Sequence, residues 1–315
     1  MLRSILVPLD GSAFSQRALP WACMLASRHG AALRLVAVDE PLLLALPYAD
    51  IPGLDATVAQ SHREGLEEGL REASTRVCDD TGVTPALALL DGAVPEAIAA
   101  DAERERVDLI VMTTHGRGGF ARAWLGSVAD ALVRQATVPV LLVHGGSDAV
   151  EGAATDDPPT SPPALRRVLV PLDGSALAEE VVAAATAVGL PGETTFVLFR
   201  VVIIQRTSLP ADATFWTPQE REAMRRDHDE AEAYLDGVAE RVRAAGFTVE
   251  VVVTLAHDAA RAILREAEAR EVDLVAIATN ARRGVPRLVL GSVTDKVVRG
   301  ATRPTLVVRP PGTVG

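Results

Sequence analysis

The chain repeats itself, and this repetition constrains its fold more than any other feature of the sequence. The stretch Ile5–Ser12, which reads Ile-Leu-Val-Pro-Leu-Asp-Gly-Ser, returns in similar form as Val168–Ser175. The stretch Leu125–Val128 returns as Leu290–Val293. These copies lie 163 and 165 positions apart, so the two halves keep register with only small changes of length. A repeat of this length has the size of a domain, and the chain is therefore predicted to contain two similar domains.

The predicted domains occupy residues 1–144 and 164–311. Residues 145–163 between them are rich in Gly, Asp, Thr and Pro and lack apolar periodicity, which is typical of a linker. Hydrophobic residues make up 48% of the chain, so each half has enough apolar side chains for a folded core.

Short apolar segments alternate with longer amphipathic ones in each half. In the first half the predicted strands are Ser4–Leu9, Ala32–Val38, Thr84–Leu90, Val107–Thr113 and Val138–Val143, and the predicted helices are Ala13–His29, Asp55–Thr81, Val94–Arg106 and Ser127–Ala136. Strands that are apolar almost throughout are typical of a parallel sheet with both faces covered. The alternation therefore predicts an α/β fold, with a doubly wound, open parallel sheet in each domain. Pro20 should kink the first helix or shift its start.

Charge and hydropathy disfavour several classes of partner. The formal net charge is −11 and no run of Lys or Arg occurs, so we expect no binding to nucleic acid or to anionic membrane surfaces. No apolar stretch approaches the roughly 18 residues of a membrane span, and the one after Ser4 is too short for a signal-peptide core. A cytoplasmic location is therefore expected. Cys23 and Cys78 fit small buried hydrophobes better than a redox pair.

Polar residues follow the first predicted strand, at the sheet edge where ligands of open parallel sheets bind. Asp10, Gly11 and Ser12 bring a carboxylate to this edge, together with a hydroxyl that can cap the next helix. Taken alone, this tripeptide is equally typical of a simple turn with a helix cap.

A glycine-rich loop follows the fourth predicted strand. It contains Gly116, Arg117 and Arg122, and it ends where Gly126 and Ser127 open the last helix of the domain. Free amides and the positive end of the dipole at this helix start favour an anion. A purely structural loop is the alternative.

Other phosphate-binding and catalytic motifs are excluded by inspection. The only lysine is Lys296, so no Walker A loop exists. The chain also lacks Gly-x-Ser-x-Gly, His-Glu-x-x-His and Cys-x-x-Cys. His115 alone among the histidines lies in the presumed site, where a loop hydrogen bond suits it better than the role of general base.

Together these segments resemble the universal stress proteins. The resemblance rests on the octapeptide at Ile5–Ser12, on Val-Asp-Leu-Ile-Val-Met-Thr-Thr-His-Gly-Arg-Gly-Gly at 107–119, on Gly126-Ser127-Val128, and on the closing strand. It covers both halves except the linker and the segments after each second strand. It implies a Rossmann-like fold of the adenine nucleotide alpha hydrolase type, with five parallel strands in the order 3-2-1-4-5. For the ATP-binding branch of the family it implies the sequence pattern Gly-x-x-Gly, followed by nine residues and then by Gly-Ser or Gly-Thr.

The resemblance implies a site for ATP or a related adenine nucleotide, with or without Mg²⁺, in the first domain. Asp10 would hold the ribose side, Val38 the adenine, and the start of the last helix the phosphates. The implied nucleotide-binding residues are Pro8, Leu9, Asp10, Val38, Met112, Gly116, Arg117, Gly126, Ser127, Val128 and Ala129. A weaker second site would comprise Asp173, Val201, Gly291, Ser292 and Val293.

The sequence departs from the family pattern at its glycines. Thr113 replaces the first glycine in domain 1, whereas Ala278 and Ala281 replace both in domain 2. Left-handed geometry at position 281 would cost an alanine roughly 1–2 kcal/mol. We therefore expect the first domain to bind nucleotide and the second to bind weakly or not at all.

Three functional classes remain open on the sequence. The first is a regulatory module of the stress response that binds nucleotide without turnover. The second is an enzyme at the same cleft, a slow ATPase or nucleotidyl transferase, although no positioned base or acidic pair for Mg²⁺ is evident. The third is a nucleotide-free interaction scaffold, which Thr113 keeps open.

The last strand of each half is an apolar edge candidate that invites pairing. The resemblance implies that family members dimerise through this strand, so the two domains are predicted to form an internal pseudo-dimer. Homodimers and an unidentified protein partner are further possibilities. Segments Pro41–Leu54 and Ile203–Pro218 are candidate lids or partner surfaces, or else ordinary loops.

Overall fold

The computed structural model describes residues 2–40, 54–114, 125–144, 163–204, 217–279 and 290–309. The chain divides into two compact units, domain 1 (Met1–Pro163) and domain 2 (Ala164–Gly315).

Each domain alternates strands and helices in the predicted order. Domain 1 contains β1 (Ser4–Pro8), a 3-10 turn (Ser15–Ala18), α1 (Leu19–His29), β2 (Ala32–Asp39), α2 (Leu54–Thr81), β3 (Ala86–Asp91), α3 (Val94–Arg104), β4 (Leu109–Thr113), α4 (Ser127–Gln135) and β5 (Val140–Val143). Domain 2 contains β6 (Arg167–Pro171), α5 (Ala176–Val188), β7 (Thr195–Ile203), α6 (Pro218–Ala244), β8 (Thr248–Ala256), α7 (Ala259–Ala269), β9 (Leu274–Ala278), α8 (Ser292–Gly300) and β10 (Thr305–Val308).

Both domains have a parallel sheet with the expected strand order. In domain 1 the order is β3-β2-β1-β4-β5, and in domain 2 it is β8-β7-β6-β9-β10. Each corresponds to 3-2-1-4-5 within its own domain, which confirms the prediction. In domain 1, α1 packs with α2 and α3 packs with α4. All of β4 and β5 is buried, as continuous apolar strands require when helices cover both faces.

A repeated aspartate fastens β1 to the segment before β4. The Asp108 carboxylate accepts hydrogen bonds from the backbone amides of Arg3 at 2.7 Å and Ser4 at 3.1 Å. Asp273 does the same for Arg166 and Arg167 in domain 2, at 2.7 and 2.9 Å. The repeated Val-Asp motif therefore satisfies backbone amides at the amino end of the sheet, away from the edge where ligands are expected.

Pro20 changes the start of the first helix, as its position in the sequence indicated. The α-helix begins only at Leu19, with the proline in its first turn, and a 3-10 turn precedes it. A proline ring in a longer helix would clash with the carbonyl four residues earlier. In domain 2 the corresponding residue is Ala183, and α5 runs without interruption from Ala176.

The two cysteines of domain 1 are free and partly buried. Burial raises the pKa of the Cys23 thiol to about 11, and the nearby carboxylate of Asp80 adds to this shift. The thiol therefore stays protonated and unreactive at neutral pH, in keeping with a packing role.

Candidate functional site

The strand order of domain 1 reverses beside β1. Chain connections lead from β1 through β2 to β3 on one side, and β4 and β5 lie on the other. The amide of Leu9 donates to the carbonyl of Val36 at 2.8 Å, which extends the β1–β2 pairing one residue beyond β1. Leu9 is buried and Asp10 is the first partly exposed residue after it. The carboxylate thus emerges at the switch point, where sheets of this type bind ligands.

Asp10 and two serines form a tight turn after β1. The Asp10 Oδ1 atom accepts hydrogen bonds from the Ser12 amide at 2.9 Å and from the Ser12 hydroxyl at 2.6 Å. The hydroxyl of Ser15 donates to the carbonyl of Ser12 at 2.9 Å. Gly11 has a φ of +79°, in the left-handed region that favours glycine. These bonds hold the carboxylate in one orientation at the sheet edge.

The serine of this tripeptide makes the same capping hydrogen bond in both domains, but what it precedes differs. The Ser12 hydroxyl accepts from the Ser15 amide at 3.1 Å, where a 3-10 turn begins, and α1 starts only after that turn. In domain 2, Ser175 is the N-cap of α5, and its hydroxyl accepts from the Ala178 amide at 3.1 Å. The same bond therefore leads into a 3-10 turn in domain 1 and directly into an α-helix in domain 2, since a proline follows it in domain 1 only.

The start of α4 is fastened to the end of β4. The amide of Thr114 donates to the carbonyl of Val143 at 3.1 Å, and the amide of Gly126 donates to the carbonyl of Thr114 at 2.7 Å. This second bond joins the ends of the intervening loop, and it brings the first turn of α4 to the carboxyl edge of β4. Since β4 pairs with β1 and the 3-10 turn packs against β4, the α4 start and the Asp10 turn belong to adjacent strand ends.

The first turn of α4 has the properties of an anion site. Its N-cap is Gly126, which has no side chain to cap the first amides of the helix. Ser127, the first helical residue, is exposed and so presents its hydroxyl to solvent. The one acidic residue of this turn, Asp130, is paired with Arg134 by hydrogen bonds of 2.7 and 2.9 Å, which reduces its repulsion of an anion.

The remaining predicted residues of domain 1 divide into two groups. Pro8, Val38 and Val128 are half-buried, and Met112 and Ala129 are buried. They lie at the ends of β1, β2 and β4 and in the first turn of α4, on the same edge of the sheet. The predicted phosphate contacts Gly116 and Arg117 lie outside the described residues, as do His115 and Arg122, so they stay predictions.

An ion-pair cluster at the same edge was not foreseen from the sequence. Arg63 of α2 contacts the carboxylates of Asp39 at 3.0 Å and Asp91 at 2.7 Å. The two aspartates are register neighbours at the ends of β2 and β3. These two carboxylates raise the pKa of the Arg63 guanidinium, mainly through hydrogen bonds. The only sequence signal is an aspartate at the end of each strand, and the partner on α2 is visible only in the fold.

Domain 2 reproduces one end of this arrangement and alters the other. Gly291 is again an N-cap without a side chain, and the Thr294 hydroxyl of α8 donates to the Ala278 carbonyl at 2.9 Å. Ser292 and Val293 in the first turn of α8 are exposed, and Val201 in β7 is half-buried. Asp173 is exposed, and its Oδ1 accepts from the Ser175 amide at 2.9 Å.

The sequence also matches a known protein family. The sequence model of the Universal stress protein family matches residues 1–144 and again 164–309. The chain belongs to the universal stress protein family. A universal stress protein of Mycolicibacterium smegmatis is 28% identical over 313 residues, covering 97% of this chain and 97% of its own length. A single-domain member from Thermus aquaticus is 37% identical over 145 residues, which is 46% of this chain and all of that protein.

A solved structure supports the same fold. The crystal structure of a universal stress protein from Archaeoglobus fulgidus superposes with a TM-score of 0.66 at 19% identity, covering 97% of this chain and 98% of that one. The family and its tandem α/β architecture, predicted from the sequence motifs, are thus confirmed. Within the described ranges no helix is long and apolar enough to cross a membrane.

Proposed function

We propose that this tandem universal stress protein binds ATP or a related adenine nucleotide, mainly in domain 1, and acts as a regulatory module of the stress response. The observation that carries the proposal is the junction of the Asp10 turn and the uncapped start of α4 at adjacent strand ends. A carboxylate suits the ribose hydroxyls, and unsatisfied helix amides suit phosphate. The two lie on the edge where open parallel sheets bind nucleotides.

The donor set fits a nucleotide from end to end. Asp10 accepts hydrogen bonds from hydroxyls, and Leu9, Val38 and Met112 offer apolar surface to a base. Ser127 and the amides of the first turn of α4 donate to phosphate oxygens, with Gly116 and Arg117 proposed as further donors. Mg²⁺ would arrive on the phosphates, since nucleotide-bound Mg²⁺ needs only one or two protein carboxylates. In the described part of the chain no three His, Cys, Asp or Glu side chains form a metal-binding group.

Binding without turnover is the activity that this donor set supports. Hydrolysis needs a base or a water-positioning group beside the terminal phosphate and a clamp for the charge that develops there. The carboxylate that the turn supplies, Asp10, already accepts two hydrogen bonds from Ser12 and lies at the proposed nucleoside end. A regulatory readout would pass through a cytoplasmic protein partner or through pairing of the domains.

Two measurements on the purified full-length protein test the proposal. Mass spectrometry of small molecules released on denaturation should identify an adenine nucleotide. Calorimetric titration of ligand-free protein with ATP should then give one site per chain, and a phosphate-release assay should show no turnover above that of Asp10→Asn. Absence of any nucleotide site, or turnover that Asp10→Asn abolishes, would contradict the proposal.

A further inference from the structure

An arginine lies beside the Asp-Gly-Ser turn of domain 2, and its guanidinium stacks on a tyrosine ring. The guanidinium of Arg200, in β7, lies 3.0–3.1 Å from the point where a Cβ on Gly174 would stand. Its central carbon is 5.0 Å from the centre of the Tyr234 ring, in α6. Gly174 follows Asp173, the counterpart of Asp10, and has a φ of +88°. The Arg200 guanidinium therefore lies beside Gly174, next to the carboxylate, while Gly174 and Asp173 themselves remain exposed.

Neither side chain of this pair has a large counterpart in domain 1. Arg200 follows Phe199, whose carbonyl accepts from the Leu172 amide at 2.8 Å, just as Val36 accepts from Leu9 at 2.8 Å. The residue after Val36 is Ala37, so Ala37 corresponds to Arg200. A guanidinium in domain 2 thus takes the place of a methyl group in domain 1.

The tyrosine corresponds to a glycine. The residues of α2 that are buried are Leu66, Leu70, Ala73 and Val77, and those of α6 that match them at a constant spacing of 165 are Ala231, Leu235, Val238 and Val242. This register pairs Tyr234 with Gly69. A Cβ on Gly69 would lie 3.8 Å from the Cα of Gly11, so position 69 faces the turn of domain 1, and Tyr234 contacts the guanidinium that lies beside the turn of domain 2.

We propose that the Arg200–Tyr234 stack closes the nucleoside end of the domain 2 cleft, and that Ala37 and Gly69 leave the corresponding space open in domain 1. The inference rests on the proposed nucleotide site and identifies the residues that decide which domain uses it. It differs from the expectation based on Ala278 and Ala281, which concerned the phosphate end. The start of α8 keeps its uncapped amides, so the closure acts at the opposite end of the cleft.

The contacts of Arg200 suit a fixed closure. The Tyr234 ring and the backbone at Gly174 are two neighbours of the guanidinium, and both are held in regular or glycine-turn backbone. A planar guanidinium stacked on an aromatic ring has a shape similar to that of a stacked nucleotide base, so it can occupy the place of a base. A nucleoside would have to displace it.

Titration of four full-length variants with ATP tests the proposal. Arg200→Ala should bind two nucleotides per chain, whereas wild type binds one. Tyr234→Phe keeps the ring and should stay at one, and Arg265→Ala, at an exposed arginine of α7, controls for lost charge. The double variant Ala37→Arg with Gly69→Tyr should lose the domain 1 site. Labelling with 8-azido-ATP followed by peptide mapping assigns each site to a domain.

The outcomes separate this inference from the proposed function. One site in wild type and no gain in Arg200→Ala overturns the closure and leaves the domain 1 site intact. Two sites in wild type also overturn it. No site in wild type with one domain 2 site in Arg200→Ala overturns the proposed function and supports the closure. If circular dichroism shows that Arg200→Ala is unfolded, Arg200→Met retains the apolar stem and gives the same readings.

Discussion

The two domains share one fold and one glycine-capped helix start, which we propose for phosphate, yet they differ at the other end of the proposed cleft. In both, a glycine N-cap leaves the first amides of the last helix without a side-chain cap. Beside the repeated aspartate, domain 1 has Ala37 and Gly69, whereas domain 2 has Arg200 and Tyr234. In our proposal, a duplicated domain keeps its scaffold while two side chains change what its cleft admits.

The sheet edges beside these clefts also differ in polarity. Domain 1 has the Asp39–Arg63–Asp91 cluster at the ends of β2 and β3. The register neighbours at that place in domain 2 are the apolar Val202 and Leu255, and Leu255 is 41% exposed. Charge in one copy and apolar surface in the other indicate that the two edges meet different surroundings.

The largest effect that separates the domains should come from a buried charge. Asp101 is fully buried and accepts two hydrogen bonds from Arg34, at 2.7 and 2.9 Å. Asp101→Ala should lower the free energy of unfolding of domain 1 by about 3–5 kcal/mol, because it strands a mostly buried guanidinium. The corresponding Glu266 of domain 2 is 22% exposed and pairs with Arg270, so Glu266→Ala should cost about 0–1 kcal/mol.

Urea unfolding of both variants, followed by circular dichroism, measures this contrast. Similar losses in the two domains would show that the burial of Asp101 does not set its contribution.

The next effect concerns the carboxylate of the Asp-Gly-Ser turn. Asp10→Asn removes the charge but keeps the shape, and it should weaken ATP binding by about 10–150-fold, since hydrogen bonds to a charged group contribute about 1.5–3 kcal/mol. The matched variant Asp173→Asn should leave the affinity unchanged. Calorimetry checks both, and an equal loss from the two variants would remove the functional difference between the domains.

A smaller effect should appear at the helix that precedes the fourth strand of each domain. The N-cap of α7 is Asp258, which accepts from the Arg261 amide at 3.0 Å, whereas the N-cap of α3 is Ala93 without a side-chain bond. Asp258→Ala should cost about 0.5–2 kcal/mol of stability, and Ala93→Asp should recover up to about 1 kcal/mol in domain 1. Thermal unfolding at neutral pH measures both, and a destabilising Ala93→Asp would indicate that the repulsion by Glu96 is the larger effect.

The smallest effect is the pH dependence of the same cap. The Arg261 amide, followed by the Lys296 ammonium, lowers the pKa of the Asp258 carboxyl in the folded chain. A carboxyl whose pKa is lower in the folded chain than in the unfolded chain stabilises the fold when the pH is above the unfolded pKa. This stabilisation is lost as the pH falls through the folded pKa. The stability difference between wild type and Asp258→Ala should therefore be full at pH 7 and shrink below about pH 4. If the stability difference stays constant down to pH 2, it arises from packing and not from the charge of Asp258.

Much of this protein could be predicted from the sequence, because its signals are local. The repeat predicted two domains, the apolar runs predicted parallel strands, and Pro20 predicted the late start of α1. The turn after β1 placed Asp10 at a strand end. The repeated Asp-Gly-Ser motif likewise predicted the capping bonds of Ser12 and Ser175, although a 3-10 turn follows the first and an α-helix the second.

Contacts between distant segments were decided by the tertiary structure alone. Arg63 meets Asp39 and Asp91 only because α2 packs across the ends of β2 and β3. Arg200 lies in β7 and Tyr234 lies in the middle of α6. Nothing in their spacing along the chain predicts that Arg200 stacks on the Tyr234 ring beside Gly174. The local sequence determines which segments form strands and in what order they follow along the chain. The packing of each helix on the twisted sheet decides which side chains share a cleft, and in our proposal it thereby decides which copy of the site admits a nucleotide.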